Sequence, residues 1–205
     1  ISDIVMPVLE GDELCRILKS SVDTSHIPVI LLTALSEREN IIFGLEAGAN
    51  DYIIKPFDLS VLKVRIRNIL QNRQHLRDTV LSMDTPPEDT DYTSQLDKEF
   101  MDKVMETIEK HLDNGDLTVE DIAGEVNMSR SVFFKKLKTL TGLSPVEFLK
   151  EIRMKRAAQL IETEEYNMAQ IAYMVGLNDS HYFSKCFKQQ YGMTPTEYKE
   201  SRKQN

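Results

Sequence analysis

Hydrophobic positions in the first 75 residues fall into short runs that alternate with amphipathic segments. Pro28 to Ala34 has the sequence P-V-I-L-L-T-A, a β-branched and leucine-rich run that is typical of a strand buried on both faces of a parallel sheet. The pattern then predicts a helix from Ser36 to about Glu46 that is closed by Gly48, a second strand from Asp51 to Ile54, and a helix from Asp58 to about Gln74. This order predicts an α/β fold, an open doubly wound sheet.

Polar residues occupy the carboxyl ends of the predicted strands. Asp3, Thr33 and Lys55 each fall at such an end, where sheets of this kind place their functional loops. Pro56 follows Lys55, and a cis peptide bond there would hold the loop in a tight turn, although the sequence does not decide between the isomers. The pattern therefore indicates a site at one edge of the sheet.

The apolar pattern lapses between about Leu76 and Gln95, in a stretch that contains D-T-P-P-E-D-T-D-Y-T-S. Proline, acidic and hydroxyl residues in this proportion are typical of a linker. Beyond it the pattern is helical as far as Asn205, and it begins with an acidic amphipathic segment from Asp97 to about Leu112. We therefore predict an α/β part over residues 1–75, a linker over 76–96 and an all-α domain over 97–205.

The helical half contains an internal repeat. The segment T-V-E-D-I-A-G-E-V-N-M-S-R-S-V-F-F-K-K-L-K from Thr118 corresponds to N-M-A-Q-I-A-Y-M-V-G-L-N-D-S-H-Y-F-S-K-C-F-K from Asn167, about 50 residues further on. Each copy predicts a short helix, a turn at Asn127 or Gly176, and a second helix capped by a hydroxyl or an acid. A long helix from Pro145 to about Glu162 must connect the two copies.

The charge of the chain limits the kinds of partner that it is expected to bind. A net charge of -8 and a pI near 5.1 argue against a protein covered in basic residues, so any surface that binds nucleic acid must be local. The second helix of each copy has such a concentration, with Arg130, Lys135, Lys136 and Lys138 in the first and Lys185 and Lys188 in the second. One such lysine alone is ordinarily part of a solvated face, but two matched helices favour a DNA-binding function.

The cysteine positions and the hydropathy of the chain argue against a disulfide-rich protein, a zinc protein and a membrane-spanning segment. Cys15 and Cys186 lie far apart and in no metal-ligand spacing, so we expect neither a disulfide framework nor a zinc site. We expect Cys186 to be a small buried hydrophobe, with a redox switch as the alternative. The longest apolar stretch, Ile27 to Leu35, is far shorter than the roughly 20 residues of a membrane span, which fits a cytoplasmic location. The chain begins with Ile-Ser-Asp and has the character of a piece of a longer protein.

The pattern I-A-x-x-V-G-L-N-D-x-x-Y-F-S-K-x-F-K-x-x-x-G-M-T-P-x-x-Y resembles the signature of the AraC family of bacterial transcription regulators. In that family two helix-turn-helix units, joined by a long helix, enter adjacent major-groove segments on one face of DNA. The resemblance implies contacts with base edges by Ser131, Phe134, Lys135, Ser180, His181, Ser184 and Lys185. It implies phosphate contacts by Ser129, Lys138 and Lys188, and Arg130 adds positive charge beside them.

Several of these residues have an alternative role to DNA contact. Phe134 departs from the polar residue that is more usual in the family, and it either touches a thymine methyl group or packs. His181 has the alternative of an ordinary exposed helix residue. We expect Leu137, Tyr182, Phe183 and Phe187 to lie in the core rather than at DNA.

Three segments resemble the receiver domain of two-component response regulators, which has a flavodoxin-like α/β fold. They are S-D-I-V-M-P-V-L-E-G-D-E-L from Ser2, L-L-T-A from Leu31 and G-A-N-D-Y-I-I-K-P-F from Gly48. The resemblance implies a phosphoacceptor at Asp3 with Pro7 and Gly11 completing its loop, a switch hydroxyl at Thr33, an aromatic switch at Tyr52 and a phosphate-binding cation at Lys55. A carboxylate that acquires a dianionic group needs a lysine, a hydroxyl and a divalent cation around it.

Magnesium is the cofactor that this resemblance implies for the complete receiver, with Asp3 among its ligands. In such a domain an acidic pair, the first two strands and most of the third precede the position of Asp3. We therefore expect these residues alone neither to bind magnesium properly nor to accept a phosphoryl group, and we expect their half-sheet to leave an unpaired edge.

Together the two resemblances imply a transcription regulator controlled by phosphorylation of Asp3. Its partners would be double-stranded DNA, a histidine kinase domain and, once phosphorylated, a second copy of the chain. An ion pair between Asp51 and Arg67 across the dimer face is a hypothesis, with an ordinary surface pair or none as the alternative.

The full protein has two candidate architectures. The phrase Y-M-V-G-L-N-D-S-H-Y-F-S-K-C-F-K resembles the hybrid regulators of gut Bacteroidetes, in which sensor, kinase, receiver and DNA-binding domain share one membrane-anchored chain. A stand-alone response regulator, and a helical domain that only binds proteins, are the alternatives. These 205 residues contain neither an ATP-binding glycine-rich box nor a phosphorylatable histidine in a helical hairpin, so we expect no enzyme activity from them.

Overall fold

The computed structural model describes residues 1–34, 47–82 and 94–203, with the backbone alone described over 72–82. The helix predicted from Ser36 to Glu46 lies outside the described residues. The chain groups into two compact units, of which one comprises residues 1–102 with 135–142 and the other comprises residues 103–134 with 143–205. The domain boundaries proposed from the sequence stay a prediction.

A sheet of three parallel strands lies in the compact unit that contains residues 1–102. Its strands are β1 (Ser2–Asp3), β2 (Ile30–Thr33) and β3 (Asp51–Ile54), and they lie side by side in that order. Asp3 pairs with Leu32, and Thr33 pairs with Ile54, so the three strands end at the same edge. Ile30, Leu31 and Thr33 of β2 are buried, which agrees with its unbroken apolar sequence.

Helix α1 (Gly11–Ser20) covers one face of this sheet. Its Cys15 is fully buried and packs in one cluster with Val29, Leu31 and Ala47. At the end of the helix the Lys19 ammonium donates hydrogen bonds to the Ser25 carbonyl, the Ile27 carbonyl and Asn50 Oδ1. These bonds fasten the end of the helix to the loops that enter β2 and β3.

Helices α2 (Leu59–Ser82) and α3 (Gln95–Lys110) flank the predicted linker, and both extend into it. The helix after β3 therefore ends at Ser82 rather than near Gln74, and helices cover 76–82 and 95–96 of the predicted linker, whose bounds stay a prediction. Polar residues end the apolar pattern after Gln74, but arginine, glutamine and leucine still favour a helix. No proline or glycine occurs from Phe57 until Pro86, so the sequence contains no strong helix breaker before that position.

The two predicted helix-turn-helix units are confirmed. The first is formed by α4 (Val119–Glu125) and α5 (Arg130–Thr141), and the second by α7 (Met168–Met174) and α8 (Ser180–Tyr191). The long helix α6 (Pro145–Glu162) connects them with the predicted bounds, and α9 (Pro195–Lys203) ends the described chain. Both turns contain a residue in the left-handed region, Asn127 with φ of 56° and Gly176 with φ of 70°.

Capping boxes recur at the same points of both copies. Thr118 begins α4 and Asn167 begins α7, and each accepts a hydrogen bond from the third helical N–H while the side chain of that residue accepts one in return. Ser144 and Glu147 form the same reciprocal pair at α6, and Thr194 and Glu197 form it at α9. Because helices of seven residues are unstable in isolation, α4 and α7 depend on these caps and on packing.

One apolar cluster joins α6 to the second helix-turn-helix unit. Its buried members are Met154, Ala157, Ala158, Ile161, Ile171, Ala172, Val175, Phe183, Cys186, Phe187 and Tyr198. The Phe187 ring stacks on Tyr191 with centroids 4.6 Å apart and meets Tyr198 edge-on at 5.4 Å. The predicted burial of Cys186 is confirmed, since its side chain is 3% exposed.

We expect Gly176→Ala to lower the free energy of unfolding by about 2 kcal/mol or more. A Cβ at this position would lie 2.7 Å from the Leu112 carbonyl oxygen and 2.8 Å from Arg153 Nη2, and its φ is in the left-handed region. Urea denaturation measures the loss. The matched control is Gly124→Ala in α4, where a Cβ meets no atom within 4 Å, and which should gain about 0.5–1 kcal/mol. A Gly176→Ala protein as stable as the parent would contradict this account of the turn.

Candidate functional sites

The three residues predicted at the strand ends lie on one edge of the sheet. Asp3 ends β1, Thr33 ends β2 and Lys55 follows β3. The Lys55 ammonium forms an ion pair with Asp3 Oδ1, and the two side chains are 43% and 45% exposed. The Lys55 backbone N–H donates to the Thr33 carbonyl oxygen at 2.6 Å. A reachable carboxylate with an adjacent cation is therefore held by the register of the strands.

Gly11 permits the loop that follows Asp3. Its N–H donates to the Ile4 carbonyl oxygen at 2.9 Å, and a Cβ on this residue would lie 2.1 Å from the Asp3 carbonyl oxygen. No other residue fits so close to the backbone without moving it. On the other side of the site the Lys55–Pro56 peptide bond is cis, and Tyr52 is partly buried against the sheet cluster.

Asp3 is the residue at this edge that is expected to bind magnesium in a complete receiver. Mg²⁺ requires near-octahedral oxygen coordination, which proteins supply through carboxylates together with waters and phosphate oxygens. Asp3 is already paired with Lys55, and the described ranges contain no group of three His, Cys, Asp or Glu side chains that would hold a metal ion. A metal-binding role of Asp3 stays a prediction for the complete receiver.

Asp51 forms its ion pair within the chain. Its two carboxylate oxygens each lie 3.1 Å from Arg65 Nη1, and Oδ1 also accepts the Tyr52 N–H. The sequence hypothesis paired Asp51 with Arg67 of a second copy. Arg67 is two residues from Arg65 and therefore lies on the other side of α2. An intermolecular pair with Arg67 stays a prediction, and it would have to compete with Arg65.

The first helix-turn-helix unit exposes all of its predicted DNA-binding residues. These are Ser129, Arg130, Ser131, Phe134, Lys135 and Lys138. Phe134 is 39% exposed, whereas Phe133 and Leu137 are fully buried. The Arg130 guanidinium forms an ion pair with Glu120 of α4 at 2.9 Å, which offsets part of the local positive charge.

Lys136 does not belong to this basic surface, and its assignment there was wrong. Its ammonium is fully buried in an ion pair with Asp97 at 2.7 Å. It also donates to Ser25 Oγ at 2.8 Å and to the Val22 carbonyl oxygen at 2.6 Å, so its three N–H groups are satisfied. The Phe100 ring lies 4.9 Å from the ammonium.

The repeat explains why Lys136 is buried. It occupies the position in α5 that Cys186 occupies in α8, and that position faces inward in both helices. Sequence reasoning missed the network that Asp97 and Ser25 form with Lys136. Comparison of the two copies position by position was the signal that would have placed Lys136 inside.

The second helix-turn-helix unit begins with a cap at Asp179. Its Oδ1 accepts the N–H groups of His181 at 2.8 Å and Tyr182 at 3.0 Å, and these bonds hold the pKa of Asp179 below its usual value. The predicted DNA-binding residues Ser180, His181, Lys185 and Lys188 are exposed, and Ser184 is partly exposed.

Tyr182 was predicted in the core, and this was wrong, because its side chain is 51% exposed. Phe183 takes the inward position next to it and is 1% exposed. A step of one residue turns the side chain by about 100° around a helix, so two adjacent aromatic residues do not both face the core. The burial predicted for Phe187 is confirmed.

We expect Lys136→Met to lower the free energy of unfolding by about 3–5 kcal/mol, because it leaves the buried Asp97 carboxylate without its cation. The double variant Lys136→Met with Asp97→Leu removes both charges and should recover most of that loss. Urea denaturation measures all variants. As a control, Lys135→Met changes an exposed neighbour and should stay within about 0.5 kcal/mol of the parent. Equal losses in the single and double variants would show that the ion pair is not the cause.

Two family models match the chain. A response regulator receiver domain matches residues 1–67, and a helix-turn-helix domain matches residues 122–201. No helix in the described ranges is long and apolar enough to cross a membrane.

Curated relatives match one or both parts. Histidine kinase P4 of Formosa agariphila is 42% identical over 200 residues, which is 97% of this chain and 14% of that protein. Transcriptional regulatory protein CseB of Streptomyces coelicolor is 45% identical over 73 residues, which is 36% of this chain and 30% of that protein. The chain thus spans less than a third of the length of each of these relatives.

Two solved structures similar to the chain each cover about half of it. The C-terminal domain of AraT, a response regulator from Geobacillus stearothermophilus, is 33% identical, covers 50% of this chain and 84% of that chain, and has a TM-score of 0.47. A DNA-binding transcriptional dual regulator from Escherichia coli K-12 is 35% identical, covers 52% of this chain and 94% of that chain, and has a TM-score of 0.48. By its sequence matches and its paired helix-turn-helix units, the chain joins a response regulator receiver segment to an AraC-type helix-turn-helix domain.

Proposed function

We propose that this chain is the DNA-binding output of a transcription regulator whose receiver segment takes a phosphoryl group on Asp3. The observation that carries the proposal is the correspondence between α5 and α8. Lys135 corresponds to Lys185, Lys138 corresponds to Lys188, and all four side chains are exposed. A second copy of an exposed basic pattern is not expected of a merely solvated face.

The same correspondence separates the core from the binding surface. Phe133 and Phe183 are equivalent and buried, and so are Leu137 and Phe187, so the lysines lie away from the core in both helices. A helix-turn-helix unit places the N-terminal residues of its second helix at base edges and flanking cations at phosphates. In this scheme Ser131, Phe134, Lys135, Ser180, His181, Ser184 and Lys185 contact base edges, while Ser129, Arg130, Lys138 and Lys188 contact phosphates.

The charge distribution supports DNA as the partner despite the net charge of -8. α5 and α8 contain no acidic residue, whereas α3 contains Asp97, Glu99, Asp102, Glu106 and Glu109. Affinity for the DNA backbone depends on the cations that reach phosphates and displace counterions, so local concentration matters more than the total.

We expect the chain to bind a mixed-sequence duplex with an affinity that falls steeply as salt rises. The double variant Lys138→Ala with Lys188→Ala removes two phosphate contacts. It should make the negative slope of log K against log salt less steep by about 2. Fluorescence anisotropy at several salt concentrations measures the slope.

The matched control removes two exposed lysines from α3, Lys103→Ala with Lys110→Ala, and therefore changes the net charge equally. Its slope should equal that of the parent. Equal slopes for all three proteins, or no binding of the parent to duplex DNA, would contradict the DNA-binding proposal. Either result would favour a helical domain that binds only proteins.

Phosphorylation at Asp3 is the second part of the proposal. An Asp3 oxygen attacks the phosphorus of a phosphohistidine, the P–O bond forms, the P–N bond breaks, and the histidine leaves. The Lys55 ammonium, already paired with the carboxylate, offsets charge on the phosphoryl group. The 42% identity to a histidine kinase over 97% of the chain favours a kinase domain in the same polypeptide over a stand-alone regulator. Thr33 and Tyr52 would then respond to the phosphoryl group and favour a homodimer.

In the full-length protein we expect phosphorylation to raise affinity for the operator, because a dimer brings two DNA-binding domains together. Asp3→Ala should abolish this gain while leaving the affinity of the unphosphorylated protein unchanged. Binding is measured with and without the phosphodonor, and Phos-tag electrophoresis reports the modified fraction. A phosphorylated protein that binds no more tightly than Asp3→Ala would contradict this control mechanism.

A further inference from the structure

Arg153 is a buried cation in the middle of α6, and the machinery described so far does not use it. Its side chain is 7% exposed, and arginine stays charged in proteins. Among the described residues its Nε has no hydrogen-bond partner. Burying a charge with so little compensation is unfavourable, so the contacts that Arg153 does make call for an explanation.

Those contacts join two parts of the helical unit that are far apart in sequence. Arg153 Nη2 donates to the Asn114 carbonyl oxygen at 2.6 Å, in the loop between α3 and α4. The same end of the guanidinium lies against Gly176, where a Cβ would stand 2.8 Å from Nη2 and 3.1 Å from Cζ. Loop and turn also meet directly, because a Cβ on Gly115 would lie 3.1 Å from the Gly176 carbonyl oxygen.

Both attachment points are stiffly connected to a helix-turn-helix unit. In the loop, Asn114 N–H bonds to the His111 carbonyl, Leu117 N–H bonds to the Asn114 carbonyl, and Thr118 then caps α4. In the turn, Gly176 N–H bonds to the Tyr173 carbonyl, and Asp179 caps α8 three residues later. A displacement at Arg153 would therefore be passed to the start of α4 in the first unit and to the start of α8 in the second.

The hydrogen bond from Arg153 to Asn114 attaches α6 to the first helix-turn-helix unit through the loop before α4. The covalent connection from α5 to α6 is separate from it and consists of Gly142 to Ser144. The hydrogen bond therefore restricts how the start of α4 can move relative to α6.

We propose that Arg153 is a positioning residue for DNA recognition, which fixes the spacing between the N-terminal ends of α5 and α8 by tying the loop before α4 to the turn before α8. The inference rests on the proposed DNA-binding function. Arg153 itself touches no DNA in this account. Its effect is on how strictly the protein selects the distance between two DNA segments.

The test uses duplexes that the parent chain selects from a random library. Each selected duplex is compared with versions that have two base pairs inserted between the two contacted segments, and with versions in which one segment is randomised. Because one base pair turns B-DNA by about 35°, two base pairs rotate the second segment by about 70°. For the parent we expect a loss of about tenfold in affinity on insertion.

For Arg153→Met we expect that loss to fall below about threefold, with affinity for a single segment within about twofold of the parent. Arg156→Met is the matched control, since it removes an exposed arginine from the same helix and should keep the full spacing dependence. If Arg153→Met does not fold, Arg153→Lys decides. It keeps a cation but lacks the planar group that lies on Gly176, and it should give an intermediate loss.

The outcomes separate the two proposals. An unchanged spacing dependence in the folded Arg153 variant, or an equal loss of affinity for all duplexes, overturns the positioning role and leaves DNA binding intact. A parent chain that selects no duplex overturns the DNA-binding function itself, and the positioning role with it.

Discussion

The second helix-turn-helix unit depends on one constraint, which is that its short helices cannot bury their apolar faces without α6. Helices of seven residues, such as α4 and α7, lack the internal hydrogen bonds to persist alone. Met154, Ala157 and Ile161 provide the apolar side of α6 on which α7, α8 and α9 pack. Helix α6 follows α5 after three residues, Gly142 to Ser144. The buried Arg153 lies on this same helix.

The two candidate sites arise from different kinds of regularity. At the sheet edge, parallel register places residues that are distant in sequence side by side, so Asp3, Thr33 and Lys55 meet without a continuous motif. In the helical part, the same sequence pattern occurs twice and produces the same surface twice. The acidic α3 and the buried Lys136 both show that net charge is a poor guide to such a surface. A basic surface depends on which lysine and arginine side chains are exposed. Their position around the helix determines that exposure.

Sequence patterns predicted the features of the fold that are determined by residues close together in sequence. The bounds of β3 and α6 follow from apolar runs, a capping box and flanking proline, and the repeat predicts both turns. The patterns failed where side chains depend on distant partners. The repeat indicates that Lys136 faces inward, but nothing near Lys136 in sequence indicates that Asp97 and Ser25 complete its hydrogen bonds. The sequence also did not single out Arg65 as the partner of Asp51 within the chain. The end of α2 was missed because polarity was taken for the absence of a helix.

Hydroxyl-radical footprinting of the chain on a duplex that it selects from a random library tests the central claim most directly, because it reports backbone contacts at single-nucleotide resolution. Two recognition helices held by α6 predict two protected windows on one face of the duplex, about 10 base pairs apart. A single window, or protection spread evenly along the duplex, would contradict the claim that both helix-turn-helix units engage DNA together.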